Sequence, residues 1–141
     1  MFNLYKESLD TSLMNILKNK SISGKDLEDL SSKFGERFWK SLRLVAERRV
    51  KQYIFTPSKR TMWIVVGKEK DYLILSDFYC SCKDFYLNSI IRQKSDFCYH
   101  LLAKILGKAL NIYEHFEIQD SKFLKLMNEW KTNRPKKRVI I

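Results

Sequence analysis

Cys80-Ser81-Cys82 and Cys98-Tyr99-His100 are the two stretches of sequence that decide how this chain folds. Together they hold all three cysteines and one of the two histidines, and fifteen residues separate them. Three thiolates and one imidazole are a usual ligand set for tetrahedral zinc in proteins. Four protein ligands also leave no coordination position for water or substrate, which is typical of a structural ion. The pattern therefore predicts one structural Zn²⁺ ion bound by Cys80, Cys82, Cys98 and His100.

A purely apolar role or a disulfide would account for less of the cysteine pattern. Free cysteines are often small buried apolar residues, but burial alone does not explain why all three fall into two pairs that end in a histidine. A Cys80–Cys82 disulfide would close a small strained ring, and an odd number of cysteines in a reducing compartment argues against a disulfide framework. Zinc accounts for the ligand type, the number and the spacing together.

The spacing also predicts where each pair lies. Residues i and i+2 of a strand point to the same side, so Cys80 and Cys82 can bind one ion from the end of a strand. In a regular helix, residues i and i+2 point nearly opposite ways. We therefore expect Cys98 at or just before a helix start and His100 in the first turn. The positive end of that helix dipole favours the net negative charge of a zinc ion with three thiolates.

The residues before the first pair have the composition of β-strands. Segments 50–56, 61–67 and 71–76 are rich in Val, Ile, Tyr, Phe and Trp, and short polar turns separate them. They predict a three-stranded antiparallel meander that leads directly into Cys80.

The helix that follows the second pair is apolar around most of its circumference. It is expected to begin near Phe97, with polar residues on one stripe only, at Lys104, Lys108 and Asn111. Such a helix must be contacted from several directions, so we place it between the sheet and the N-terminal helices, at the centre of the core. Between the two pairs, the sequence predicts a short helix over 84–91.

Amphipathic helices are predicted at both ends of the chain. One covers residues 3–20. Ser23, as an N-cap with Asp26 three residues later, begins a long helix that reaches about residue 49. Asp120 or Ser121 caps a last helix. Its inward side chains are expected to be Phe123, Leu124, Met127 and Trp130.

The predicted fold class is α+β: a three-stranded antiparallel meander with a zinc knuckle, packed on a central helix and flanked by N-terminal helices and a C-terminal helix. Residues 1–49 form the helical region, 50–112 the zinc-binding module, and 113–141 the last helix and a basic tail. A length of 141 residues fits one compact domain that contains all three.

The composition makes a polyanion the expected partner. The chain has 27 Lys and Arg against 16 Asp and Glu, a formal net charge of +11. Nucleic acid is the first candidate and an anionic membrane surface the second, although a basic helix side can also be simply solvated. The candidate nucleic-acid contacts are Lys33, Arg37, Lys40, Lys104, Lys108, Arg134, Lys136, Lys137 and Arg138.

No apolar run in the sequence is long enough to cross a bilayer, and the N-terminus lacks the pattern of a secretory signal. We therefore expect an intracellular, cytoplasmic protein without a membrane partner. If the protein acts on DNA, it would be nuclear or nucleoid-associated.

The sequence lacks the motifs of common enzymes. It has no Gly-rich phosphate-binding loop and no G-x-S-x-G nucleophile motif. His115 lies between Glu114 and Glu117, where one helix is expected to end, and a solvated surface histidine fits this context better than acid–base catalysis. We expect a binding protein without a small-molecule substrate, not an enzyme.

The order of strand meander, Cys80-x-Cys82, Cys98-x-His100 and helix, with the opening Cys80-Ser81-Cys82-Lys83-Asp84-Phe85, resembles the SWIM zinc-finger family over about residues 50–112. The continuation His100-Leu101-Leu102-Ala103 is similar to the extended C-x-H-x-x-A form of the small SWIM subunits of Shu-type complexes. In that group the SWIM protein pairs with a RecA-like recombinase paralog and supports assembly of the recombinase filament.

Two functions follow as expectations. The resemblance implies an adaptor in homologous recombination that binds a RecA-like recombinase paralog and DNA. The charge alone also allows a stand-alone DNA-binding protein, such as a regulator or a transposase-derived remnant. A sequence-reading protein usually offers an exposed recognition helix with Arg, Asn or Gln, whereas the helix after the zinc ligands is nearly all apolar. This difference favours the adaptor.

Overall fold

Five strands form one mixed sheet in the part of the chain that the computed structural model describes, residues 11–68, 70–75, 79–82 and 98–131. The strands are β1 (Val50–Thr56), β2 (Arg60–Val66), β3 (Asp71–Leu75), β4 (Tyr79–Cys80) and β5 (Glu114–Gln119). Their order across the sheet is β4-β3-β2-β1-β5. The predicted antiparallel meander is β1-β2-β3, and the sheet continues on both sides of it. Strand β4 pairs antiparallel with β3, and β5 pairs parallel with β1.

The helices confirm the α+β class and the predicted central helix. They are α1 (Thr11–Asn19), α2 (Gly24–Phe34), α3 (Glu36–Ala46), α4 (Tyr99–Leu110) and α5 (Phe123–Lys131), the last preceded by a 3₁₀ turn at Asp120–Lys122. Helix α4 contacts α1 and α3 as well as β2 and β3, so it lies between the N-terminal helices and the sheet. Every residue from His100 to Gly107 is buried.

The long helix expected from Ser23 to about residue 49 is wrong, because the chain forms two helices there, α2 and α3. The predicted cap is confirmed: Ser23 Oγ accepts from the Asp26 N–H at 3.1 Å, and the Asp26 carboxylate accepts from the Ser23 N–H at 3.1 Å. Helix α2 ends at Gly35, whose φ of +58° and ψ of −131° suit glycine alone. The apolar stripe resumes at Phe38, so its periodicity hides the break.

Alternate side chains of the sheet belong to two apolar cores on its two faces. On β2, Trp63 and Val65 lie in the core beneath α1 to α4, while Ile64 lies in the core beneath α5. Met127 and Trp130 of α5 are buried in the second core, as predicted. The sheet is therefore covered by helices on both faces.

Two details of the last helix differ from the prediction. Leu124 is 74% exposed, not inward-facing, because the buried side of α5 is centred near Phe123 and Met127 and Leu124 lies about 100° around the helix from Phe123. Asp120 was expected as one of two possible caps of this helix, but its carboxylate bonds to the turn between β1 and β2. It accepts from the N–H of Ser58 at 2.9 Å and from the Ser58 Oγ–H at 2.6 Å. It thereby joins the 3₁₀ turn to the turn between β1 and β2.

Three predictions fall wholly or partly outside the described residues. They are the first part of the helix over 3–20, the short helix over 84–91, and the basic tail after residue 131. Within the described ranges, no helix is long and apolar enough to cross a membrane.

Candidate metal centre

The local structure around Cys80 and Cys82 fixes the first pair of cysteines at the end of the sheet. Cys80 is the last residue of β4 and lies opposite Ile74 of β3. Ser81 extends the pairing: its N–H donates to the Leu73 carbonyl at 3.1 Å, and its Oγ accepts from the Leu73 N–H at 3.0 Å. Cys82 follows directly, so two hydrogen bonds to Leu73 fix the residue between the two cysteines.

The second pair begins the central helix, as the spacing predicted. Cys98 is the N-cap of α4 with extended backbone angles, φ −82° and ψ 166°, and His100 lies in the first turn. The extended backbone at Cys98 lets its side chain turn toward the same point as His100. A regular helix would have directed the two side chains apart.

The four predicted ligands converge. One ligand atom from each of Cys80, Cys82, Cys98 and His100 lies within 4.8 Å of all the others. Tetrahedral zinc with Zn–S bonds of about 2.3 Å places its ligand atoms about 3.8 Å apart, so small shifts suffice to close the cluster on one ion. All four residues are buried, at 1%, 4%, 0% and 3% exposure in that order. These residues, called the Cys/His cluster below, are positioned to bind one zinc ion.

The environment of His100 fits a metal ligand. Its Nδ1 is buried and has no hydrogen-bond partner within the described part of the chain. Such a nitrogen is costly to bury unless a ligand uses it. The ring is held between aromatic neighbours: Tyr72 stacks on it with centroids 3.9 Å apart, and Tyr99 lies at 4.0 Å. These ring contacts orient the imidazole within the cluster.

The electrostatics of the cluster also favour a divalent cation. Burial raises the pKa of the Cys80 thiol, and its neighbours Cys82 and Cys98 raise it further. Burial likewise raises the pKa of Cys98, while the Leu101 N–H, which donates to its Sγ at 3.4 Å, acts in the opposite direction. Three buried thiolates repel one another strongly in the absence of positive charge. The positive charge of a bound Zn²⁺ offsets this repulsion, and its thiol ligands are then stable as thiolates.

Comparison with known proteins agrees with this site. A protein of Dictyostelium discoideum described as "Zinc finger SWIM domain-containing protein 7 homolog" is 28% identical over 108 residues, which cover 75% of this chain and 69% of the relative. The Cys/His cluster fits a SWIM zinc site. The chain is thus similar to a SWIM-domain zinc-finger protein, and its Cys/His cluster is positioned to bind one zinc ion. No protein-family model matches it, and no solved structure matches it significantly.

The basic residues expected as nucleic-acid contacts lie on different elements of the structure. Lys33 is exposed on α2, while on α3 Lys40 is exposed and Arg37 is half-buried. Lys104 was expected on a polar stripe, but it is only 2% exposed, with its ammonium 5.2 Å from the centre of the Trp63 ring.

Lys108 is exposed on α4, and its ammonium lies 6.0 Å from the ring of Trp63. The structure therefore brings Lys104 and Lys108 together at one indole. Arg134, Lys136, Lys137 and Arg138 lie outside the described residues.

Two features of the surface were missed by sequence reasoning. Trp39 is 54% exposed on α3, next to Lys40. The signal was an aromatic residue outside the apolar stripe of its helix. His115 lies in strand β5, not at a helix end, and its Nδ1 is 2.8 Å from Gln52 Oε1. The sequence signal for that strand was the alternation of Phe116 and Ile118 with polar residues over 114–119.

Proposed function

We propose that this protein is a SWIM-type, zinc-stabilised adaptor in DNA recombination and repair, which binds a RecA-like recombinase paralog and DNA and is not an enzyme. The observation that carries the proposal is the buried Cys/His cluster at the start of the central helix. Four protein ligands satisfy a tetrahedral zinc ion and leave no position for a substrate. The ion's role is then to hold the sheet and α4 together, and the surface of the domain does the binding.

The sequence after the last zinc ligand supports the choice of protein partner. His100-Leu101-Leu102-Ala103 resembles the corresponding segment of SWIM subunits that pair with RecA-like proteins. Ala103 is fully buried in the core beneath α1 to α4, so it serves internal packing and does not contact a partner directly. The partner contact must therefore lie on exposed parts of the domain.

The burial of α4 supports an adaptor over a sequence-reading regulator. Recognition helices present side chains to base edges in a groove. Helix α4 is buried from His100 to Gly107 and has contacts on several sides. The basic residues behind the net charge of +11 would then contact phosphates. Contacts of this kind do not read the base sequence.

Purification of the tagged chain from the cells in which it occurs, with zinc quantified in the same sample, tests the proposal. We expect one zinc ion per chain and a co-purified RecA-like ATPase in near-equal amount. Cys98→Ser should remove both. His115→Ala is the matched control, because His115 is the second histidine, is exposed and lies outside the Cys/His cluster. That variant should keep both the zinc and the partner.

Three other outcomes would count against this proposal. A wild-type chain that keeps its zinc but carries no RecA-like protein contradicts the adaptor. Tight binding of a single duplex sequence without any partner would instead support a stand-alone DNA-binding protein. Turnover of a small molecule that is lost in Cys98→Ser but kept in His115→Ala would contradict the assignment as a non-enzyme.

A further inference from the structure

Trp39 is exposed, whereas the other two tryptophans are in the cores. Trp39 is 54% exposed, against 6% for Trp63 and 5% for Trp130. Tryptophan is highly buried on average, so an indole on the surface indicates a possible binding role. Its ring packs edge-on against Phe38, with centroids 5.2 Å apart and planes at 63°. This contact orients the indole while half of Trp39 stays accessible.

The segment that carries the exposed indole has an excess of positive charge. Lys40 follows Trp39 directly, and Arg43 lies one helical turn further on the same side of α3, with 80% of its side chain exposed. Residues 33–49 contain six Lys or Arg and two Glu, of which Glu36 is exposed one turn before Trp39 on the same side of α3. Glu47 pairs with Arg43 and Arg49, at 3.3 and 3.0 Å, so these three side chains together keep one net positive charge. The surroundings of Trp39 therefore favour an anionic ligand.

A second aromatic ring lies next to Lys40 and is held by the metal centre. The Lys40 ammonium is 5.5 Å from the centre of the Tyr99 ring. Tyr99 stands between the ligands Cys98 and His100, and its ring lies 4.0 Å from that of His100. The zinc site thus determines where Tyr99 lies relative to α3.

We infer that Trp39, Lys40 and Tyr99, called the Trp39 surface, bind single-stranded nucleic acid. Bases stack on the indole, and phosphates approach Lys40 and Arg43. Proteins that bind single strands without sequence preference combine basic grooves with aromatic rings in this way. A duplex keeps its bases stacked on one another and cannot offer them to Trp39. The inference rests on the DNA-binding part of the proposed function and adds the form of nucleic acid and the surface.

A protein partner is the competing occupant of the Trp39 surface. Tryptophan and arginine are frequent at the centre of protein interfaces, but lysine is depleted there. Lys40 is adjacent to both aromatic residues, and the segment around it has a clear excess of cations. The composition therefore fits a polyanion better than a protein.

Tryptophan fluorescence of the zinc-loaded full chain provides a direct test, because Trp39 is the accessible fluorophore among three. We expect quenching on titration with an oligo-dT single strand and no comparable quenching with a duplex of mixed sequence. Stacking of a base on an aromatic side chain accounts for roughly 5- to 150-fold in affinity. Trp39→Ala should weaken single-strand binding by a factor in that range and leave duplex binding unchanged.

Two further variants make the test specific. Trp39→Phe keeps an aromatic face, so it should lose the fluorescence response while retaining most of the affinity. Leu124→Ala removes another exposed apolar side chain, at 74% exposure on the opposite face of the sheet. This variant should change neither the fluorescence response nor the single-strand affinity. Melting curves for all three variants should match the wild type, since both positions are exposed.

Several results would overturn the inference. Equal single-strand affinity in Trp39→Ala and wild type would do so and would leave the proposed adaptor intact. A loss of affinity for the co-purified protein, with single-strand affinity unchanged, would assign Trp39 to the protein interface instead. Absence of binding to any nucleic acid would overturn both this inference and the DNA-binding part of the adaptor, while co-purification would still test the protein partner.

Discussion

Cys98 has two roles, one in the backbone and one at the metal. Its Sγ accepts from the Leu101 N–H at 3.4 Å, which satisfies one of the unpaired donors at the start of α4. The same sulfur belongs to the Cys/His cluster. Serine is a good N-cap but is not a usual zinc ligand. Cys98→Ser therefore retains the capping chemistry and removes one metal ligand.

We expect Cys98→Ser to lower the zinc content far below one ion per chain and to give an insoluble or molten protein. Structural zinc contributes on the order of 10 kcal/mol in small peptides, comparable with the stability of a whole domain. Metal quantitation and circular-dichroism melting measure the two effects. A strong chelator should destabilise the wild type in the same way and leave the variant unchanged. A fully folded Cys98→Ser protein with an unaltered melting temperature would contradict this prediction.

The zinc ligands were predictable from sequence because thiols and imidazoles are rare and their spacing is restrictive. The position of Lys104 was not predictable from sequence. Periodicity placed Lys104 on a polar stripe, yet its residue is buried and its ammonium lies 5.2 Å from the Trp63 ring. The long methylene chain of lysine can pack against apolar side chains while its ammonium makes a cation–π contact with an aromatic ring. That outcome depends on how β2 packs against α4, which a helical pattern does not contain.

At the scale of elements, Gly35 decides where one helix becomes two. Its φ of +58° with ψ of −131° lies in a region that residues with a Cβ avoid. Its N–H still donates to the Ser31 carbonyl at 2.9 Å, and its carbonyl accepts from the Phe38 N–H at 3.1 Å. The bend is thus bonded on both sides. It turns α3 against α4 and places Trp39 on the outer side.

Gly35→Ala should lower the free energy of unfolding by about 1 to 3 kcal/mol, the usual cost of holding a side-chain-bearing residue in such a conformation. A Cβ at Gly35 would meet nothing within 4 Å, so backbone strain is the sole cause. Gly24→Ala is the matched control. Gly24 also has open space around it, but it begins α2 without a positive φ, so alanine there should be neutral or slightly stabilising. Chemical denaturation compares the two, and equal effects would contradict the role of Gly35.

Strand β5 shows what local patterns leave open. The segment Glu114–Gln119 alternates half-buried and exposed residues, as an edge strand should, but a six-residue alternation among charged residues is a weak signal. Its parallel pairing with β1 joins residues more than sixty positions apart, such as Gln52 and His115. Antiparallel neighbours joined by short turns, β1 to β3, were predicted because the chain itself brings them together.

At the scale of the whole molecule, the sheet separates two unlike sides. The Cys/His cluster and the core beneath α1 to α4 lie on one face, and α5 covers the other. The Trp39 surface belongs to the zinc side, since Lys40 contacts Tyr99 between two ligands. Lys125 is exposed on α5, across the sheet. We therefore expect the net charge of +11 to attract a polyanion from any direction and the aromatic residues of the Trp39 surface to determine which side binds it.

Nucleic-acid binding should accordingly be weak, salt-sensitive and nearly independent of sequence. If about four phosphates are engaged by a single strand, raising the salt from 50 to 200 mM lowers the affinity roughly 50-fold, because each contact releases condensed counterions. Lys40→Gln should reduce the slope of log affinity against log salt by the contribution of about one phosphate contact. Lys125→Gln, on the far side of the sheet, should leave the slope unchanged. Anisotropy titrations with several unrelated single strands and duplexes measure these slopes. Strong preference for one sequence that survives high salt would mean that side chains read base edges, and it would contradict the assignment of the charge to phosphates.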